Sequence, residues 1–144
     1  MTGSLSGVAS VIGIGQSDWV GDHQRVRAGE RPHDSYGYGA QAFLSALADS
    51  GIARDEIDGL IVGPTTAYER VGELLGLNVR WGGQADAMTA VMEACMAIRA
   101  GLASVVALVY GNDQRSAQVN NGGPDAQGRG AFLAYVYHAP RVCT

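Results

Sequence analysis

Apolar and polar positions alternate along this chain in two rhythms. The clearest stretch is Trp81 to Gly111, WGGQADAMTAVMEACMAIRAGLASVVALVYG. Apolar residues recur there at Met88, Val91, Met92, Cys95, Ile98 and Leu102. Steps of three and four draw one stripe on a helix of period 3.6, so the spacing predicts a long buried helix. Gly82 and Gly83 form the turn that opens it, Arg99 suits the carbonyl end of its dipole, and Gly101 stops it. The unbroken run Val105 to Val109 then predicts a strand buried on both faces, at the centre of a parallel sheet.

Upstream, the β-branched run Val8 to Gly15 predicts a first strand, and polar Val20 to His33 predicts a loop. Asp34 or Ser35 caps a helix that runs to about Ser50, with Ala40, Phe43, Leu44 and Leu47 on one face and Gly51 as its stop. Leu60 to Val62 is a short strand before Gly63-Pro64. Thr65 to Leu77 carries Tyr68, Val71, Leu74 and Leu75 at helical spacing, with Gly76 ending the helix. Asn78 to Trp81 is a short strand feeding the Gly-Gly turn. Residues 112–130 read as a long polar loop, and Ala131 to His138 is apolar again. The order β-α-β-α-(β)-α-β predicts a layered α/β fold with a mostly parallel central sheet and a buried central helix.

Composition narrows the function classes. Of 144 residues, 47% are hydrophobic and 17% charged, as in a soluble globular domain. The 21 glycines imply many tight turns and close backbone contacts. Net charge is −4 and no Lys/Arg run exists, which argues against nucleic acid as a partner. No apolar run approaches the ~20 residues of a membrane span, and no basic region precedes an apolar one at the start, so a cytoplasmic protein is expected. Cys95 and Cys143 are far apart and fit neither a metal motif nor a disulfide framework. No metal and no permanently bound cofactor are expected.

Few residues offer chemistry by themselves. Gly13-x-Gly15 lacks the third glycine of a dinucleotide fingerprint and reads as a tight turn; a nucleotide-binding domain would rest on it alone. Arg25, Arg27 and Arg31 are nearly balanced by Asp22, Glu30 and Asp34, as on a solvated face. The N-terminus of the predicted helix after Gly82-Gly83 presents free backbone N–H groups suited to negative charge.

Taken in order, these pieces resemble the N-terminal half of the thiolase superfamily, closest to its lipid-transfer-protein-like branch of sterol and acyl-CoA metabolism. VIGIGQSDW is similar to the opening strand and turn. DSYGYGAQAFLSALADSGIARDEIDGLIVG is similar to the first helix and the I/V-D-G-L/V-I/V-G strand. The stretch from Trp81 is similar to the nucleophile turn, buried helix and central strand, and YGNDQRS stands where thiolases have G-G-x-E-x-M-S. The resemblance covers about residues 8–140 and implies a thiolase-like N-terminal domain over 1–140, with 141–144 an unmatched tail.

The resemblance also implies a cysteine nucleophile at the start of the buried helix, where helix N–H groups lower the thiolate pKa. Counting back from Ala97-Ile98-x-x-Gly101, that position holds Gln84, followed by Ala85, Asp86 and Ala87. Gln cannot form an acyl-thioester. Cys95 lies on the apolar stripe and reads as a core residue. Some steroid-degrading members of this branch also lack the cysteine and resemble aldolases that cleave β-hydroxyacyl-CoA, often with an OB-fold partner. Gly82, Gly83 and the N–H groups after them would then stabilise an enolate. Asp86 reads as a helix cap, His33 and His138 as surface residues, and Asp113 and Ser116 as structural or interface residues at the strand end.

The expected function is therefore an N-terminal piece of a thiolase-like aldolase or acyltransferase, inactive alone. It would have acyl-CoA as substrate and form a homodimer through edge strands near Asn78–Trp81. The ending HAPRVCT loses the resemblance after Pro140, so a truncated or frame-shifted chain is expected. The alternative is a non-catalytic dimerising or scaffold subunit, to which the missing cysteine and glycine-rich helices also fit.

Overall fold

A computed structural model describes residues 6–113. Nearly all of them belong to one compact unit, Met1–Asn112. In chain order the elements are α1 (Trp19–Arg27), α2 (Ser35–Ser50), a single 3-10 turn (Arg54–Glu56), β1 (Gly59–Val62), α3 (Tyr68–Leu75), β2 (Trp81–Gln84), α4 (Ala87–Arg99) and β3 (Val106–Val109). The strands form one parallel sheet in the order β2-β1-β3. Gly59 pairs with Trp81 on one side and Val106 on the other, and Val62 with Gln84 and Val109. The chain is thus α/β with a parallel sheet.

β1 is the strand buried on both faces: Leu60, Ile61 and Val62 are at most 1% exposed. Its side chains alternate between two cores, as a period of two requires. Leu60 and Val62 join Phe43 of α2, Val71 and Leu75 of α3, and Val109. Ile61 joins Ala90 and Ala94 of α4 on the other side. The layers are therefore α2 with α3, the sheet, and α4. Each fully buried aliphatic side chain contributes about 1.5–3 kcal/mol.

Local chemistry explains the helix ends. Asp34 caps α2 by accepting the Gly37 N–H at 2.8 Å, and Gly51 leaves the helix in the left-handed region at φ 68°. Gly76 ends α3 in the same way at φ 63°. These boundaries follow the sequence signals closely.

Five expectations are corrected. Val8–Gly15 forms no strand. It lies against α2, with the Ile14 N–H donating to Asp49 at 2.9 Å, and Val11, Ile12 and Ile14 remain 52–80% exposed. A Cβ on Gly15 would overlap the Ala42 carbonyl and come within 3.0 Å of the Ala46 Cα, so glycine is what permits this approach. Part of the predicted loop Val20–His33 is α1, capped by Asp18 on the Gly21 N–H. Its apolar periodicity is absent because its buried residue is Asp22.

β2 starts three residues later than Asn78, and Gly82-Gly83 lie within it rather than in a turn. β3 is an edge strand among the described residues, with Leu108 44% exposed, so the doubly buried position belongs to β1. Finally, α4 packs on the sheet through Ala90, Ala94 and Ala97, while Met88, Val91 and Met92 of the predicted buried stripe face outward. Small side chains let the helix sit close to the sheet. Residues 131–138 lie outside the described residues.

One side chain ties the three strand starts together. Asp58 Oδ1 accepts the N–H groups of Ser104 at 2.7 Å and Val105 at 2.9 Å, and Oδ2 pairs with Arg80 at 3.0 Å. Its own carbonyl accepts the Arg80 N–H, and its N–H donates to Val105 O. Burial pushes its pKa up, but the Val105 and Ser104 N–H groups and Arg80 outweigh that, leaving it below the ordinary 3.8.

Asp58→Ala should lower the unfolding free energy by about 2 kcal/mol in urea denaturation, since two backbone donors lose a charged acceptor. Because the folded pKa is depressed, the wild-type contribution is present above the unfolded value near 3.8 and is lost as pH falls through the folded one. Asp58→Asn should flatten that acid limb. Gly15→Ala should cost about 1–3 kcal/mol by overpacking and raise amide exchange at Ile14.

Candidate functional site

In a parallel sheet every strand ends at the same edge, and the helices that follow begin there, so ligands collect outside the carboxyl ends. Here β1 ends at Val62, β2 at Gln84 and β3 at Val109. The N-termini of α3 and α4 face this edge, and α2 joins it: a Cβ on Gly111 would overlap the Ser35 carbonyl. The Tyr36 hydroxyl accepts the Ala67 N–H at 3.1 Å. An open cleft of about 600 Å³ lies at the β2 side, lined by Pro64, Thr65, Thr66, Tyr68, Gly83 and Gln84.

Gln84 is the side chain on which this edge turns. Its Nε2 donates to Thr66 O at 2.7 Å and to Gly63 O at 3.3 Å. The Thr66 hydroxyl donates to the same Gly63 carbonyl at 3.3 Å, and the Thr65 hydroxyl donates to Gly111 O. The amide of Gln84 therefore holds the loop between β1 and α3 against the end of β2. That work needs two donors on one planar nitrogen, which a thiol lacks.

Gly82 and Gly83 differ. A Cβ on Gly82 would run into the Leu60 carbonyl and lie 2.7 Å from the Tyr68 ring, so Gly82 is required by packing. A Cβ on Gly83 meets nothing within 4 Å. Both glycines belong to the β1–β2 ladder, paired with Leu60 and Ile61, so the helix N-terminus expected just after them lies further on, at α4. There Asp86 caps the helix, accepting the Thr89 N–H at 3.1 Å. The Thr89 backbone N–H first, and then its hydroxyl, hold the Asp86 carboxyl below its ordinary pKa. It is an ionised cap.

The other candidates separate. Cys95 lies in the third turn of α4 and is half-buried beside the alanine face, which corrects its reading as a core residue. His33 is exposed, with Nε2 3.8 Å from Asp22 Oδ1 and its ring edge-on to Tyr38. Arg25 pairs with Asp22 along α1, while Arg27 and Arg31 are exposed. Asp113 is half-buried at the end of the described chain, and Ser116 and His138 lie beyond it.

Two features were missed by sequence reasoning. Asp22 is 5% exposed, and its Oδ2 is buried with no partner among the described residues. Nothing in a polar stretch distinguishes one buried acid from its solvated neighbours. The Gln84 clamp was missed because its acceptors are main-chain carbonyls, which carry no sequence signature.

No protein-family model matches the chain. It is 32% identical over 121 residues to 17-hydroxy-3-oxo-4-pregnene-20-carboxyl-CoA lyase of Mycobacterium tuberculosis, a match covering 78% of this chain and 29% of that protein. In structure it is similar to an Ltp2-ChsH2(DUF35) aldolase, with a TM-score of 0.64 and 24% sequence identity over 96% of this chain and 34% of the other. The second likeness is one of fold. The chain thus spans about a third or less of the length of the relatives it matches, and its similarity runs to a steroid CoA lyase.

Proposed function

We propose that this chain is the N-terminal part, over residues 1–140, of a thiolase-like carbon–carbon lyase of the lipid-transfer-protein-like branch, acting on a β-hydroxyacyl-CoA of steroid or related acyl metabolism. The observation that carries it is Gln84. The side chain at the expected nucleophile position is committed to two carbonyls and offers no group for an acyl-enzyme, which suits a reaction without a covalent intermediate. The similarity to a CoA lyase supports the same reading.

A retro-aldol cleavage needs a base for the β-hydroxyl proton; the carbon–carbon bond then breaks and its electron pair passes to the α-carbon as a thioester enolate. Donors at the carboxyl edge would stabilise that charge. Gly83 and Gln84 line the cleft there, and the first turn of α3 opens onto it through Ala67, Tyr68 and Glu69. The base and most of the CoA contacts would come from beyond residue 140. On this reading the chain alone binds the thioester and turns over nothing, the parent is a homodimer, and an OB-fold protein completes the complex. A cytoplasmic location is part of this proposal; among the described residues no helix is long and apolar enough to cross a membrane.

Calorimetric titration of the purified chain with a β-hydroxyacyl-CoA should show binding, with no cleavage product by chromatography. Neither binding nor cleavage would leave the scaffold-subunit reading in its place. Gln84→Ala should release the β1–α3 loop, seen as faster amide exchange at Thr66 and Ala67, and weaken thioester binding roughly tenfold. It should destabilise the fold by only about 1 kcal/mol. Gln84→Cys should lose the clamp in the same way and gain no acyl-enzyme by mass spectrometry.

A further inference from the structure

An exposed tyrosine is held in place at the carboxyl edge of the sheet. Tyr110 follows β3 directly and is 54% exposed. Its ring lies on Gly63, which follows β1: a Cβ there would run into Tyr110 Cδ2 and lie 2.9 Å from Cε2. Gly63 is outside the left-handed region, so its backbone does not call for glycine; the ring above it does. The Gly63 N–H donates to Val109 O at 3.0 Å, which fixes the two strand ends side by side. At the far end of the ring the Asn112 amide donates to the Tyr110 hydroxyl at 3.1 Å. Exposed side chains ordinarily change rotamer within nanoseconds. This one is seated from below and tethered at its tip, with its outer side in solvent. Tyr110 also stands where G-G-x-E-x-M-S has its first glycine, so the ring is this chain's own addition.

Building on the thioester reading above, we infer that Tyr110 is a binding residue, its ring a platform on which a planar ring system of the acyl group lies. Fixing the ring before a ligand arrives removes an ordering cost that a loose side chain would meet on binding. An aromatic face recognises flat rings by offset stacking and apolar contact. The position suits the acyl group. Pro64, next to Gly63, lines the cleft, and β3 ends about 10 Å from β2, two strand spacings across the sheet. A thioester held at the β2 side reaches Tyr110 with a ring-bearing acyl chain. Charge disfavours the other planar group of an acyl-CoA, its adenine. Asp34 caps α2, whose Ser35 carbonyl abuts Gly111, and Asp113 lies just beyond Tyr110. Carboxylates at this end of the sheet repel the phosphates that accompany adenine and leave an uncharged ring unopposed.

Calorimetric titration of the 144-residue chain should show β-hydroxy-β-phenylpropionyl-CoA binding roughly fivefold more tightly than β-hydroxybutyryl-CoA. Because that chain is used alone, nothing beyond its last residue contributes to the result. Tyr110→Leu, checked for folding by circular dichroism, should abolish the preference by weakening the phenyl thioester only, whereas Tyr110→Phe, which keeps the ring, should retain it. Free CoA should bind Tyr110→Leu and wild type alike. In the wild type, the Tyr110 ring resonances should move upfield on addition of the phenyl thioester and stay in place with the hydroxybutyryl one, a readout that needs no variant. If the wild-type chain binds neither thioester, the thioester reading fails and the platform with it. The platform alone is overturned by equal affinity for the two thioesters, by a preference that survives in folded Tyr110→Leu, by unmoved Tyr110 resonances, or by weaker binding of free CoA to Tyr110→Leu, which would assign the ring to adenine.

Discussion

Three parallel strands joined by helices have no hairpin to set their register, so something else must. Here it is the carboxylate of Asp58. One oxygen takes two successive N–H groups at the entrance to β3, and the other faces Arg80, just before β2. The same residue's backbone bonds to both neighbours. Once the strand starts are aligned, the alternation of Leu60, Ile61 and Val62 assigns each helix layer its core, and the strand ends fall in line at the opposite edge.

That division gives the molecule two ends with different duties. The amino end of the sheet is closed by an ion pair and charged hydrogen bonds. The carboxyl end is open, and its loops are held by weaker neutral bonds from Thr65, Thr66 and Gln84. A cleft that must admit a ligand is better placed where the stabilising bonds are modest. The residue at the expected nucleophile position illustrates the trade: as an amide it holds the wall of the cleft, a task a thiol at the same place would abandon.

The sequence disclosed what local chemistry decides. Asp34 and Gly51 bracket α2, Gly76 closes α3, and the apolar run before Gly63-Pro64 is β1; each depends on residues adjacent in the chain. It misled where packing chooses among apolar residues. On α4 both faces are hydrophobic, and periodicity favoured the large side chains, whereas close approach to the sheet selects alanine. The run Val8–Gly15 has the composition of a strand, yet its glycines fit it against α2. The similarity to a steroid CoA lyase was legible in the order of motifs. The clamp that Gln84 makes was not, because its acceptors are peptide carbonyls.

Those acceptors have an evolutionary corollary. Gln84, Thr65 and Thr66 hold the edge by touching only main-chain oxygens of Gly63, Thr66 and Gly111. Every residue type supplies such an oxygen. The neighbouring cleft-lining side chains at Pro64, Ala67, Tyr68 and Glu69 can therefore be exchanged without unfastening the wall, provided the backbone path is kept. Selection on the shape and polarity of the cleft is thereby uncoupled from selection on its anchorage, which lets the lining of one scaffold change in single mutational steps.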